Sequence, residues 1–245
     1  MHGARSLKRF TLSAMDGDIG RVVDVFFDSH RWAIRYVVVD TGGFLSGRRV
    51  LISPIAIGHV DWTRGRLAVR LSKRQVENAP DVDLDKPVTR QHELAFFRHF
   101  GWNAYWPGPF TWGAATIPGE LAPPFVDALT DAPPLDASDG DPNLHSLAAV
   151  TGYTLRGRDG ELGTLDDLQF DPLTWEVRYL VVTTGRMWSG RRALLAPHWA
   201  QRIVIEDRTI TFDVPEEELQ RAPEWNHDHP GLPDEPSARR GHRRE

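Results

Sequence analysis

Two stretches of the chain read almost alike: 32-WAIRYVVVDTGGFLSGRRVLI-52 and 175-WEVRYLVVTTGRMWSGRRALL-195. Pairing Phe10 with Tyr153 sets an offset of 153 − 10 = 143, and it holds without a gap to Pro80 and Pro223. Between Gly17 and Pro54 about half the positions are identical to their counterparts, far above the level of unrelated sequences. Gly20 meets Gly163, Asp24 meets Asp167, and Asp28 meets Asp171. Trp32, Arg35 and Tyr36 meet Trp175, Arg178 and Tyr179, and Gly47-Arg48-Arg49 meets Gly190-Arg191-Arg192. Two long units make a duplicated domain, not a solenoid.

Each copy reads as β-structure. Strand-length runs rich in β-branched and apolar residues, "IGRVVDVFF" and "WAIRYVVVD", flank the turn "DSHR", which is "DPLT" in the second copy. "RFTLSA" precedes them, and "RRVLIS", "HVDW" and "RLAVRL" follow. About six short strands with few intervening helices are best buried in a small closed or half-open barrel. A short helix closes each copy. Ser72 with Gln75 forms a capping box, and in "PEEELQRAP" Pro215 and three acids start the equivalent helix. By alternation, Trp32, Ile34, Tyr36 and Val38 fall on one strand face, as do Trp175, Val177, Tyr179 and Val181.

The fold class expected is mainly β: two tandem barrels of about six strands, each closed by a short helix. Barrel 1 spans residues 1–81 and barrel 2 spans 146–225. Between them, 82–145 holds an aromatic strap, "ELAFFRHFGWNAYWPGPFTWG", and then a Pro/Asp-rich acidic linker. Residues 226–245 read as a disordered polar tail.

Composition narrows the function. The net charge of −5 gives no overall field toward nucleic acid or anionic lipid. With no cysteine, disulfides, thiolate metal sites and cysteine nucleophiles are excluded. The first residues contain no long apolar run, and no window approaches a membrane span, so a cytoplasmic protein without membrane insertion is expected.

The motif "GDIGRVVDVFFD…WAIRYVVVDTGGFLSGRRVLISP" resembles the PRC-barrel family, and the second copy matches through Gly160, Gly163, Asp167, Trp175, Arg178, Tyr179, Gly190 and Pro197. "KPVTRQHELAFFRHFGWNAYW" and the lead-in "DPNLHSLAAVTGY" are similar to what joins the barrels of two-barrel bacterial members. The family includes the cytoplasmic domain of the photosynthetic reaction-centre H subunit and the C-terminal barrel of a ribosome maturation factor. The resemblance implies a small β-barrel that works by binding proteins, with no family-wide catalytic residue.

The residues offer little chemistry of their own. Gly42, Gly47 and Arg48 imitate a phosphate loop but lack its Lys, its hydroxyl residue and a following helix. His92, His99, His227, His229 and His242 lack the rigid spacing of a metal site, and His198 has no triad partners. No catalytic residue, cofactor or metal is expected. Asp24 with Arg35, and Asp167 with Arg178, read as cross-strand ion pairs, and Trp32, Tyr36, Trp175 and Tyr179 as barrel packing. Candidate partner contacts are Arg48, Arg49, Arg191 and Arg192, with Trp188 beside the second pair and Trp102, Tyr105 and Trp106 in the strap. The strap is expected to pack across both barrels, because so many aromatics are costly to leave in water.

A non-enzymatic adaptor or assembly module with an unidentified protein partner is the leading expectation. The barrels would form an intramolecular pseudo-dimer or a homo-oligomer. The alternatives are binding of RNA or a ribosome precursor, which the acidic charge disfavours, and an accessory role for photosynthetic or other membrane complexes.

Overall fold

The computed structural model describes residues 1–42, 47–80, 88–120, 143–184, 190–222 and 224–225. In chain order the first half contains β1 (His2–Gly3), β2 (Thr11–Ala14), β3 (Gly17–Asp28), β4 (Ala33–Asp40), β5 (Arg49–Ile52), β6 (Ile57–Asp61), β7 (Arg66–Val69) and α1 (Lys73–Glu77). The strap contributes α2 (Arg90–Phe100). The second half contains β8 (Leu144–Ser146), α3 (Leu147–Val150), β9 (Thr154–Arg156), β10 (Glu161–Phe170), β11 (Val177–Thr184), β12 (Arg192–Leu195), β13 (Ala200–Val204), β14 (Thr209–Phe212) and α4 (Glu216–Arg221). The expected capping box of Ser72 and Gln75 starts α1, and Pro215 is the N-cap of α4.

The strands form two sheets with matching orders, β5-β4-β3-β2-β7-β6 and β12-β11-β10-β9-β14-β13. The pairs β2–β7 and β9–β14 are parallel, and the other ladders are antiparallel. Among the described residues no ladder joins β5 to β6 or β12 to β13. Each sheet is therefore open in its hydrogen bonding, where the sequence suggests a barrel. The chain passes between those edges through 3-10 turns that begin at Pro54 and Pro197, residues with no N–H to donate.

The two halves exchange strands. β1 pairs with β10 of the second sheet, His2 opposite Phe170 and Gly3 opposite Gln169. β8 pairs with β3 of the first sheet, His145 opposite Phe27 and Ser146 opposite Phe26. Each of these pairs becomes the other under the 143-residue offset, which is the signature of an isologous, two-fold contact. The same reciprocity holds at the tips of the long hairpins. The Ile34 N–H donates to the Trp175 carbonyl at 2.9 Å, and the Val177 N–H donates to the Trp32 carbonyl at 2.7 Å. Both tryptophans adopt left-handed φ, 48° and 59°, uncommon for a bulky residue and kept here by the contact across the halves.

Asp24 and Asp167 receive the exchanged arms. Asp24 accepts from the Ser146 hydroxyl at 2.5 Å and the Ala148 N–H at 3.1 Å. Asp167 accepts from the Arg5 N–H at 3.0 Å and the Leu168 N–H at 2.8 Å. A register shift lies just before each aspartate, between Val22 and Asp24 and between Leu165 and Asp167, and such bulges re-aim the side chains that follow. The expected Asp24–Arg35 and Asp167–Arg178 pairs therefore do not form. A second bulge explains Arg35: Tyr36 faces Phe26 and Ile34 faces Phe27, so Arg35 is the extra residue and turns to Asp28 at 3.0 Å. This bulge also breaks the simple alternation expected for Trp32–Ile34–Tyr36–Val38. Trp32 lies ahead of β4, which is buried on both faces from Ala33 to Val39.

One contiguous set of buried side chains runs through both sheets and the strap. No helix among the described residues is long and apolar enough to cross a membrane.

The exchange is uneven in one respect. Ser146 gives Asp24 a hydroxyl, whereas its counterpart Gly3 has none to give Asp167. Burial raises the Asp167 carboxyl to about 6. A carboxyl raised in the folded state supports folding fully below its unfolded value of about 4, and this support is lost as pH rises through about 6. Asp167→Asn keeps an acceptor for the Arg5 and Leu168 amides while removing the charge. The variant should be more stable than the parent near pH 7.5, by up to about 3 kcal/mol, and the gain should vanish near pH 4. Urea unfolding at both values measures the difference.

Candidate functional site

The strap begins with the helix α2. Thr89 caps α2 by accepting from the His92 N–H, and Gly101 ends it in the left-handed conformation that glycine adopts without steric cost. The helix turns Phe96 and Phe97 into the core. It also delivers Glu93, 1% exposed, to the outside of the first sheet. The Tyr36 and Tyr105 hydroxyls both donate to Glu93 Oε1 at 2.7 Å, and Arg90 donates to Oε2 at 2.7 Å. Burial, and then the Glu93 carboxylate, hold both phenols well above the usual tyrosine range.

Arg35 is fully buried beneath the strap. Its Nε and Nη2 donate to Asp28 Oδ2 at 3.3 and 3.0 Å, and Nη1 donates to the Thr111 carbonyl at 2.7 Å. The guanidinium lies 3.9 Å from the Tyr105 ring centre and 4.8 Å from that of Trp112. Stacking with full hydrogen bonding is what makes a buried arginine tolerable. Arg31 binds the strap backbone, donating to the carbonyls of Trp106 at 3.2 Å, of Gly108 at 2.9 Å and of Phe110. The strap then reaches the second half. Trp112 Nε1 donates to the Thr174 carbonyl at 2.7 Å, and the Thr111 hydroxyl donates to Glu176.

Among the described residues no segment covers the second sheet in this way. Arg178 is half-exposed, 2.9 Å from Glu176 and 3.7 Å from Asp171, and Tyr179 is only partly buried. The same two residue types that are sealed in the first half face solvent in the second. Two substitutions accompany the change: Arg31 corresponds to Thr174, and Glu176 corresponds to Ala33.

The candidate contact residues fall into three settings. Arg48 donates to the carbonyls of Glu77 at 3.2 Å and Ala79 at 2.5 Å, and Arg191 to those of Gln220 at 3.2 Å and Ala222 at 2.6 Å. A helix end carries unsatisfied carbonyls and partial negative charge, so both arginines clamp the closing helices. Arg49 is exposed; Arg192 is 3.0 Å from Asp166 and sits 5.3 Å from the Trp225 ring. In the strap, Tyr105 is buried, Trp102 is half-buried and stacked on Phe100 at 4.6 Å, and Trp106 is half-buried under Arg90 at 4.3 Å. His92 and His99 hydrogen-bond to Thr89 Oγ1 and the Gln75 carbonyl. Trp188, with Phe44, Leu45 and Met187, lies outside the described residues, as do most of the acidic linker and the tail with its histidines.

The sequence reading missed Arg31, Asp28 and Glu93 as strap anchors. The available signals were Thr89 and Gly101 bracketing a helix-length segment, and an arginine in the first hairpin turn where the second has threonine.

The PRC-barrel domain model matches residues 2–76. The matched span begins at the exchanged strand β1 and ends within α1. No curated protein gives a significant match to the chain.

Three outcomes test this geometry. In an alkaline titration followed by phenolate absorbance, Tyr36 and Tyr105 should ionise only as the fold is lost, and Glu93→Ala should lower stability by about 3 kcal/mol or more by leaving buried groups unpaired. Arg48→Ala and Arg191→Ala should each cost about 1–2 kcal/mol in chemical denaturation, whereas Arg49→Ala should change stability by less than about 0.5 kcal/mol.

Proposed function

We propose that the chain is a non-enzymatic, cytoplasmic protein-binding module built from two PRC-barrel-type units. The observation that carries this reading is what the repeated polar residues do. Asp24 and Asp167 hold the exchanged arms, and Arg48 and Arg191 hold the closing helices. These groups are engaged within the fold in both copies, as suits a scaffold whose surface, not a reacting centre, carries the function. The match of the first copy to the PRC-barrel domain supports it, since the resemblance implies action through protein contacts.

The RNA-binding alternative draws no support from Arg48 or Arg191, whose guanidinium groups face helix carbonyls. Mixed-sign surface pairs such as Arg5–Asp166 and Arg66–Asp18 also differ from the one-sign stripe that tracks phosphates.

Affinity capture of the full chain from its native host, after nuclease treatment and a wash at about 300 mM salt, should retain a defined protein partner that crosslinks to specific lysines or acids. Retention that vanishes with nuclease would contradict the reading in favour of nucleic acid.

A further inference from the structure

Two grooves flank the line where the halves meet, and the 143-residue offset carries one onto the other. The first is lined by Pro54, Ile57 and Trp62 from one half and by Pro172, Leu173 and Trp175 from the other. The end of the strap lies in it, with Ile117, Pro118 and Gly119 among its walls, and about 390 Å³ remains open. The second is lined by the counterparts Pro197, Ala200, Ile205, Ser29, His30 and Trp32, and about 750 Å³ is open. No strap segment lines it among the described residues. Arg178, whose counterpart Arg35 lies under the strap, is part of its wall.

We propose that this open groove and the adjoining Arg178–Tyr179 face bind an extended segment of another protein, laid along the second half as the strap is laid along the first. The inference rests on the protein-binding reading and names its surface. The occupied half defines the chemistry the segment needs. Arg35 takes two aromatic rings and a backbone carbonyl, and Tyr36 donates to a carboxylate. Arg178 and Tyr179 present the same groups half-exposed. A matching segment carries an aromatic residue for the Arg178 guanidinium and a carboxylate for the Tyr179 hydroxyl.

The differences between the grooves add charge to that description. Where the first has Leu173 and His59, the second has His30 and Arg202. Three arginines and three histidines line the open groove against two glutamates. Glu176 pairs with Arg178, which leaves Arg31 and Arg202 against Glu206. At the position where the chain's own strap places Ile117, an acidic residue suits the open groove better.

The probes are two labelled peptides, the strap sequence from Val88 to Glu120 and the same peptide with Ile117→Asp, titrated into the full chain by fluorescence anisotropy. Saturable binding is expected, tighter for the Ile117→Asp peptide and weakened by salt. The double variant Arg178→Ala/Arg202→Ala alters exposed side chains and should keep the parent's thermal unfolding while losing about tenfold or more in affinity. Arg49→Ala should bind as the parent does. Absence of saturation, equal binding by the double variant, or displacement of the peptide by a short single-stranded RNA would overturn the proposal. A captured protein whose crosslinks fall away from the groove would overturn it too, while leaving the protein-binding reading intact. Capture that depends on nucleic acid would remove both.

Discussion

Each half of this protein hands a short arm to the other, and an aspartate just past a bulge receives it. Asp24 and Asp167 sit at equivalent places in their sheets, and each accepts hydrogen bonds from backbone or side-chain groups some 120 to 160 residues away in sequence. A strand of two or three residues cannot form alone; here two ladder pairs for β1 or three for β8, with an aspartate anchor, fix it. Because the exchange is reciprocal, neither sheet is complete without the other half. The hairpin tips add a second reciprocal contact through Trp32 and Trp175, whose left-handed backbone aims their carbonyls across the boundary. The duplication thus makes one structure with a core shared between its copies.

On that two-fold frame the strap imposes asymmetry. It occurs once and covers the outside of the first sheet, where Arg35, Tyr36 and Glu93 form a buried polar network roofed by Tyr105 and Trp112. Such a network is tolerable only when its members are satisfied. In the second half Arg178 and Tyr179 remain partly in water and the matching groove is open. Among the described residues one face of the duplicated fold is sealed and its twin is not, so the copies share the contacts that join them and differ in the surface they expose.

Much of this was legible in the sequence. Strand-length runs rich in apolar and β-branched residues mark about six strands per copy, and Ser72 with Gln75 and Pro215 with its acids mark the closing helices, because those signals are local. The packing of the strap across both halves followed from the cost of exposing so many rings. The arm exchange was harder to see, since β1 and β8 are too short to show any period. One hint lay upstream of the aligned repeat: His2 and His145 are identical at the same offset. The expected ion pairs do not form because bulges before Asp24 and Asp167, and at Arg35 and Arg178, change which residue faces which, and bulges leave little trace in composition. Arg48 and Arg191 looked like surface contacts because their true partners are backbone carbonyls of a helix 29 residues away.

The central claim is that the reciprocal exchange makes both halves a single cooperative unit. Native-state hydrogen exchange followed by NMR tests it at four amides: Arg5 and Ala148, which donate to the aspartates, and Ile34 and Val177, which bridge the hairpin tips. The account predicts that all four exchange only through global unfolding, with one common opening free energy. Exchange of the arm amides through cheap local fraying, or opening of one half while the other stays protected, would contradict it.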